Sequence, residues 1–173
     1  MSVELFYVDE GPRDAPVLML AGSLGSTLEM WRPQVEALGD RFRIVRIDHR
    51  GHGRSPVPPG PYAVADLAGD VLALLDKLGL ERVAWCGLSL GGMVGMHLGS
   101  HAPQRLSSLT LCCTSAYFPD KTPWADRIAA VTEKGTAAIA EAVVDRWFTP
   151  AWAAEHPEWV AECRAMVAGT DDA

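Results

Sequence analysis

A serine with a glycine two residues to either side, Gly87-Leu88-Ser89-Leu90-Gly91, lies between the apolar run Val83-Ala84-Trp85-Cys86 and a helical stretch over Gly92–His101. In that setting a serine can act as a nucleophile. A sharp strand-to-helix turn lifts its hydroxyl clear of the backbone, and the flanking residues must be small for the chain to pass close by. The following helix aims its N-terminus at the serine, where N–H groups and the macrodipole favour developing negative charge. The implied chemistry is attack on a carbonyl with a covalent acyl intermediate. A serine that merely caps a helix would explain Ser89 but not the paired glycines.

Two further segments belong with this one. Gly22-Ser23-Leu24-Gly25-Ser26 follows the apolar strand Val17–Ala21, a position from which a backbone N–H can stabilise an oxyanion. The expected donors are the N–H groups of Leu24 and Leu90. Asp48-His49-Arg50-Gly51-His52-Gly53-Arg54-Ser55 follows a third strand. His49 and His52 have no carboxylate or cysteine at metal-ligand spacing, so no metal site is expected and their role reads as structural.

The elements that must hold these segments alternate. Strands are expected at Val3–Val8, Val17–Gly22, Arg43–Asp48, Val83–Leu88 and Leu106–Cys112, with helices over Thr27–Leu38 and Val64–Leu78. Val64, Leu67, Val71, Leu74, Leu75 and Leu78 share one helical face, which turns Asp66, Asp70 and Asp76 mainly to solvent. Gly11-Pro12-Arg13-Asp14 reads as a hairpin turn between the first two strands. The alternation predicts an α/β fold with a mostly parallel sheet and flanking helices. After Cys113 strands vanish, and Trp124–Lys134, Thr136–Phe148 and Ala151–Ala168 read as helices broken at Pro150 and Pro157. Residues 1–115 are thus expected to form the N-terminal part of the α/β core and residues 116–173 a partial helical cap.

Composition narrows the function. A net charge of -7 with no Lys/Arg run argues against nucleic acid or an anionic membrane as partner. No secretory signal precedes the first strand and no apolar run is long enough to cross a bilayer, so a cytoplasmic protein is expected. Cys86, Cys112, Cys113 and Cys163 are then expected to be reduced thiols.

Taken together, these residues resemble the α/β-hydrolase superfamily, and within it the 3-oxoadipate enol-lactonases of the β-ketoadipate pathway of aromatic catabolism. The likeness runs through Ser23–Trp31, Asp48–Ser55, Gly87–Met93 and Arg146-Trp147-Phe148-Thr149-Pro150. One departure is Ala21-Gly22, where relatives carry a polar residue or histidine. The resemblance implies opening of a small enol-lactone to 3-oxoadipate through Ser89, with Leu24 and Leu90 holding the oxyanion and no cofactor. It also implies a cap rich in Trp124, Trp147, Trp152 and Trp159 closing an apolar pocket. Another carboxyl-ester or lactone hydrolase of the same fold, or a non-catalytic fragment, stays open as an alternative.

The resemblance places the triad in the order serine, acid, histidine, so both partners must follow Ser89. His97 is eight residues along a helix leading away, about 12 Å of rise. His101 is farther, and His156 matches no family position. The acid and the histidine of the triad are therefore expected to be absent from this chain, which reads as the N-terminal portion of a longer enzyme with its last strands missing. An exposed sheet edge, through which a homo-oligomer could form, is the expected consequence.

Overall fold

The computed structural model describes residues 2–171 and divides between Ala116 and Tyr117 into two compact units. In the first, five strands carry the scaffold: β1 (Tyr7–Glu10), β2 (Val17–Ala21), β3 (Arg43–Ile47), β4 (Val83–Leu88) and β5 (Leu106–Cys112). They form one sheet in the order β1-β3-β2-β4-β5, parallel except for β1, which runs antiparallel to β3. The α/β class with a mostly parallel sheet is thus confirmed.

Helices α1 (Arg32–Leu38), α2 (Val64–Lys77) and α3 (Leu90–His101) flank the sheet. Met19, Val45, Ile47, Val83 and Trp85 face Leu67, Val71, Leu74, Leu75, Val94 and Leu98 of α2 and α3 across one buried layer. Leu20 and Ile44 face Trp31 and the partly buried Val35 and Leu38 on the other side. Burial on both faces explains why the central strands read as continuous apolar runs rather than as alternating ones.

Several expectations change in detail. The first strand is shorter and later than Val3–Val8, and it pairs with β3, so Gly11–Asp14 does not close a hairpin between paired strands. β2 has both neighbours taken by β3 and β4, which leaves β1 only the outer edge of β3. The helix expected from Thr27 splits into a tight 3₁₀ turn, Leu28–Trp31, and α1, with Pro33 in its first turn. Asp70 is not turned to solvent: it is 1% exposed and paired with Arg50. α2 closes as a Schellman motif, Leu80 N–H donating to the Leu75 carbonyl (2.9 Å) and Gly79 N–H to that of Asp76 (3.1 Å).

The second unit is all helical: α4 (Thr122–Lys134), α5 (Ala137–Val144), α6 (Pro150–Glu155) and α7 (Pro157–Ala168). The prolines at the starts of α6 and α7 break the run where the sequence predicts. Its core is built from Ala140, Val143, Val144, Val160, Cys163 and Val167, against which Trp147, Trp152 and Trp159 pack. Three of the four tryptophans therefore supply packing area within the unit. No helix among the described residues is long and apolar enough to cross a membrane.

Candidate active site

Ser89 occupies the junction of β4 and α3, with φ 53° and ψ -108°. A non-glycine residue in that region is strained, and the strain is held by hydrogen bonds on both sides of the peptide. Its N–H donates to the Cys112 carbonyl at the end of β5 (2.9 Å). Its carbonyl accepts from the Thr114 hydroxyl (2.7 Å) and from Met93 N–H (3.0 Å). The Ser89 hydroxyl is left out of this scheme and makes no capping bond to α3.

Close approach explains the glycines. A Cβ on Gly91 would collide with the Ala21 carbonyl at the end of β2, and one on Gly87 with the Gly91 carbonyl. The approach is used: Gly91 N–H donates to the Gly22 carbonyl (2.9 Å), tying the turn after β4 to the loop after β2. Trp85 supports the same spot from below, its indole N–H donating to the Gly91 carbonyl (3.1 Å). Nothing in the motif pointed to Trp85 or Thr114; only the register of β4 and β5 brings them to the turn.

The loop after β2 is a tight turn. Ser26 N–H and its hydroxyl both reach the Ser23 carbonyl (3.1 and 2.8 Å), and Gly25 takes the left-handed conformation at φ 78°. Leu24, at the tip, is 40% exposed. Neither Leu24 N–H nor Leu90 N–H donates to a protein acceptor among the described residues. Two unpartnered backbone donors and a serine hydroxyl, on loops joined by the Gly91–Gly22 hydrogen bond, are the parts an oxyanion site requires.

The loop after β3 fixes this arrangement. The Asp48 carboxylate accepts from Leu28 N–H (2.6 Å) and Arg54 N–H (2.9 Å). Burial raises its pKa, and those two donors oppose the rise. The Ser55 hydroxyl donates to the Asp48 carbonyl (2.7 Å) and accepts from Phe6 N–H (2.8 Å). Arg50 makes a bidentate pair with the fully buried Asp70 (2.6 and 2.7 Å).

His52 reaches the oxyanion loop directly. Gly25 N–H donates to its Nε2 (3.0 Å), so Nδ1, 3.0 Å from the Arg50 carbonyl, carries the ring proton. The ring is therefore neutral, and burial lowers its pKa in agreement. His49 is buried as well, and neither of its nitrogens makes a hydrogen bond of normal geometry among the described residues. Its pKa falls to about 3, chiefly through burial, with repulsion from His52 adding and the Gly22 carbonyl opposing.

The other histidines stay apart from this chemistry. His97 and His101 stack on each other (4.0 Å) on α3, and His156 stacks on Trp152 (4.1 Å) in the helical unit. No group of metal-ligating residues occurs among the described residues. None of Cys86, Cys112, Cys113 and Cys163 forms a disulfide among the described residues.

Known proteins are similar to this chain. A profile of the alpha/beta hydrolase fold matches residues 15–159. The chain is 38% identical over 158 residues to 3-oxoadipate enol-lactonase 2 of Acinetobacter baylyi, covering 91% of this chain and 59% of that protein. The crystal structure of the enol-lactonase from Burkholderia xenovorans LB400 superposes with a TM-score of 0.94 at 41% identity, over 98% of this chain and 66% of that one. A thermophilic esterase from Thermogutta terrifontis gives 0.90 at 31% identity, over 98% and 63%. The chain thus spans about six-tenths of the length of the relatives it matches.

Proposed function

The chain belongs to the α/β-hydrolase family, and on that premise we propose that it carries the nucleophile and oxyanion hole of an enzyme that opens a small lactone, 3-oxoadipate enol-lactone being the substrate. The observation that carries this reading is the strained Ser89 with its unbonded hydroxyl, together with the unpartnered N–H groups of Leu24 and Leu90 on two loops tied by the Gly91–Gly22 hydrogen bond. The likeness to two enol-lactonases supports the substrate.

In the proposed reaction Ser89 Oγ attacks the lactone carbonyl carbon, and the two N–H groups hold the oxyanion. Collapse breaks the ring C–O bond, leaving an acyl group on Ser89. The enol oxygen takes the proton the serine gave up and tautomerises to the ketone. Water then releases the second carboxylate. The base that carries those protons is assigned to no residue of this chain, because His97 and His101 lie along α3 away from its N-terminus and His49 and His52 are buried in structural roles. Residues 117–171 are proposed as cap.

Added imidazole can stand in for the base. Incubating the chain with imidazole and either 3-oxoadipate enol-lactone or p-nitrophenyl acetate should give lactone opening that exceeds the imidazole background and disappears in Ser89→Ala. Serine-dependent turnover of the aryl ester alone would favour an esterase, the reading that the Thermogutta terrifontis likeness supports. Equal rates in the wild type and Ser89→Ala with both substrates would remove Ser89 as nucleophile.

A further inference from the structure

The loop after β2 depends on an acceptor from another loop. Residues 23–26 form a four-residue turn closed by Ser26 N–H on the Ser23 carbonyl (3.1 Å), and of its two central residues only Gly25 has a positive φ. That pattern is a type II turn, whose central peptide is turned over relative to that of a type I turn. Which way this peptide faces decides where the Gly25 N–H points. A buried N–H needs an acceptor, and Gly25 finds one 27 residues away, in Nε2 of His52 (3.0 Å).

The ring is set for that bond. Its Nδ1 lies 3.0 Å from the Arg50 carbonyl and carries the proton, which leaves Nε2 its lone pair. At 7% exposure His52 leaves little room for water to take its place. The two peptides that flank Leu24 are thus held separately. Ser26 holds the Ser23 carbonyl through its N–H and its hydroxyl, and His52 holds the Gly25 N–H. Leu24 N–H belongs to the first peptide, and the second fixes the residue from its other side.

We infer that His52 is a positioning residue for the oxyanion loop, an acceptor that fixes the Leu24–Gly25 peptide and with it the Leu24 N–H. The inference rests on the proposed function for one point, that this N–H holds an oxyanion. His52 acts through Gly25 and needs no contact with substrate.

The same bond makes the loop sensitive to protons. A protonated Nε2 would set its own N–H against that of Gly25, so the charged ring cannot accept the bond. On its own loop the ring faces Asp48, which favours the charge, and His49 at a centroid distance of 6.2 Å, which is repelled by it. The Arg50 guanidinium is turned to Asp70. Burial outweighs Asp48 and keeps the ring neutral, so the loop is held at neutral pH and released only as pH falls below the ordinary histidine value of 6.5.

A ¹⁵N–¹⁵N coupling across the hydrogen bond, between the Gly25 amide and His52 Nε2, reads the contact without any reaction. It is expected in the labelled chain at neutral pH and should vanish as the ring protonates. The rate at which a fluorophosphonate labels Ser89 with added imidazole reads the consequence. His52→Leu should slow it by about tenfold or more, and His52→Gln, whose side-chain carbonyl accepts an N–H without titrating, should restore most of that loss. The wild-type rate divided by the His52→Gln rate, in which the imidazole contribution cancels, should fall with pH below 6.5. No coupling at neutral pH, equal rates in the wild type and folded His52→Leu, a Gln variant as slow as the Leu variant, or a ratio that ignores pH would overturn the assignment. A Gly25–His52 coupling with no labelling of Ser89 in any variant would sink the proposed function and leave the anchor of the loop standing; labelling of Ser89 that is indifferent to His52 would do the opposite.

Discussion

Histidine rings that are buried and neutral couple stability to pH, and His49 does so most strongly here. Its folded pKa of about 3 lies below its ordinary 6.5, so between those values the unfolded chain binds more protons than the folded one. The stability His49 allows is therefore complete above pH 6.5 and is lost as pH falls towards 3. The slope over that window is at most about 1.4 kcal/mol per pH unit for one group. Urea unfolding from pH 7 down to 4 should show it, and His49→Leu should flatten the curve; parallel curves would contradict the burial of a neutral ring. At this scale the sequence was legible where a residue's duty is local, as with Ser89 and its flanking glycines. It was not legible for Asp70, whose partner Arg50 comes from a loop 20 residues upstream. An aspartate beside the apolar face of a helix reads as solvent-facing until the arginine that neutralises it is known. For the same reason His52 reads only as structural, since its task is set by Gly25, 27 residues away.

Elements here are positioned by small residues at their contacts. α3 presents almost no polar face; it packs against β4 and β5 through Gly91, Gly92, Gly95 and Val94. Added Cβ atoms would meet Thr114 at 2.6 Å from Gly92 and the Trp85 indole nitrogen at 2.6 Å from Gly95. Gly91→Ala would press on the Ala21 carbonyl, which is backbone and cannot step aside. We expect that substitution to cost about 1–3 kcal/mol, read as a lower urea midpoint, and to increase hydrogen exchange at Gly25 and Ser26 because α3 and the β2 loop share the Gly91–Gly22 bond. A variant as stable as the wild type would show that the contact is not tight. β4 was legible to the residue because an apolar run with sharp ends marks a buried parallel strand, and β5 was legible to the residue although its middle is exposed. β1 was not, because an edge strand with a half-buried pattern gives no periodicity to fix its register or its partner.

Across the whole molecule, the sheet order β1-β3-β2-β4-β5 brings the carboxyl ends of β2, β3 and β4 together, and the three signature loops follow those ends. That convergence is where parallel α/β sheets place their chemistry. β5 borders the sheet, with residues 107–111 exposed on a strand whose Cys112 carbonyl holds Ser89 N–H. The α/β class was legible from alternation alone, whereas the division into sheet and helical units showed only as the disappearance of strands after Cys113.

In the proposed reaction Ser89 faces an oxyanion site formed by Leu24 and Leu90. Reaction of the chain with a fluorophosphonate in the presence of imidazole, followed by peptide mapping and ¹⁵N–¹H spectra of the adduct, addresses it directly. A phosphonyl group is expected on Ser89, absent in Ser89→Ala, with the Leu24 and Leu90 amide protons moving downfield as they bond the phosphonyl oxygen. An adduct on another residue, or one on Ser89 that leaves both amides unmoved, would contradict it.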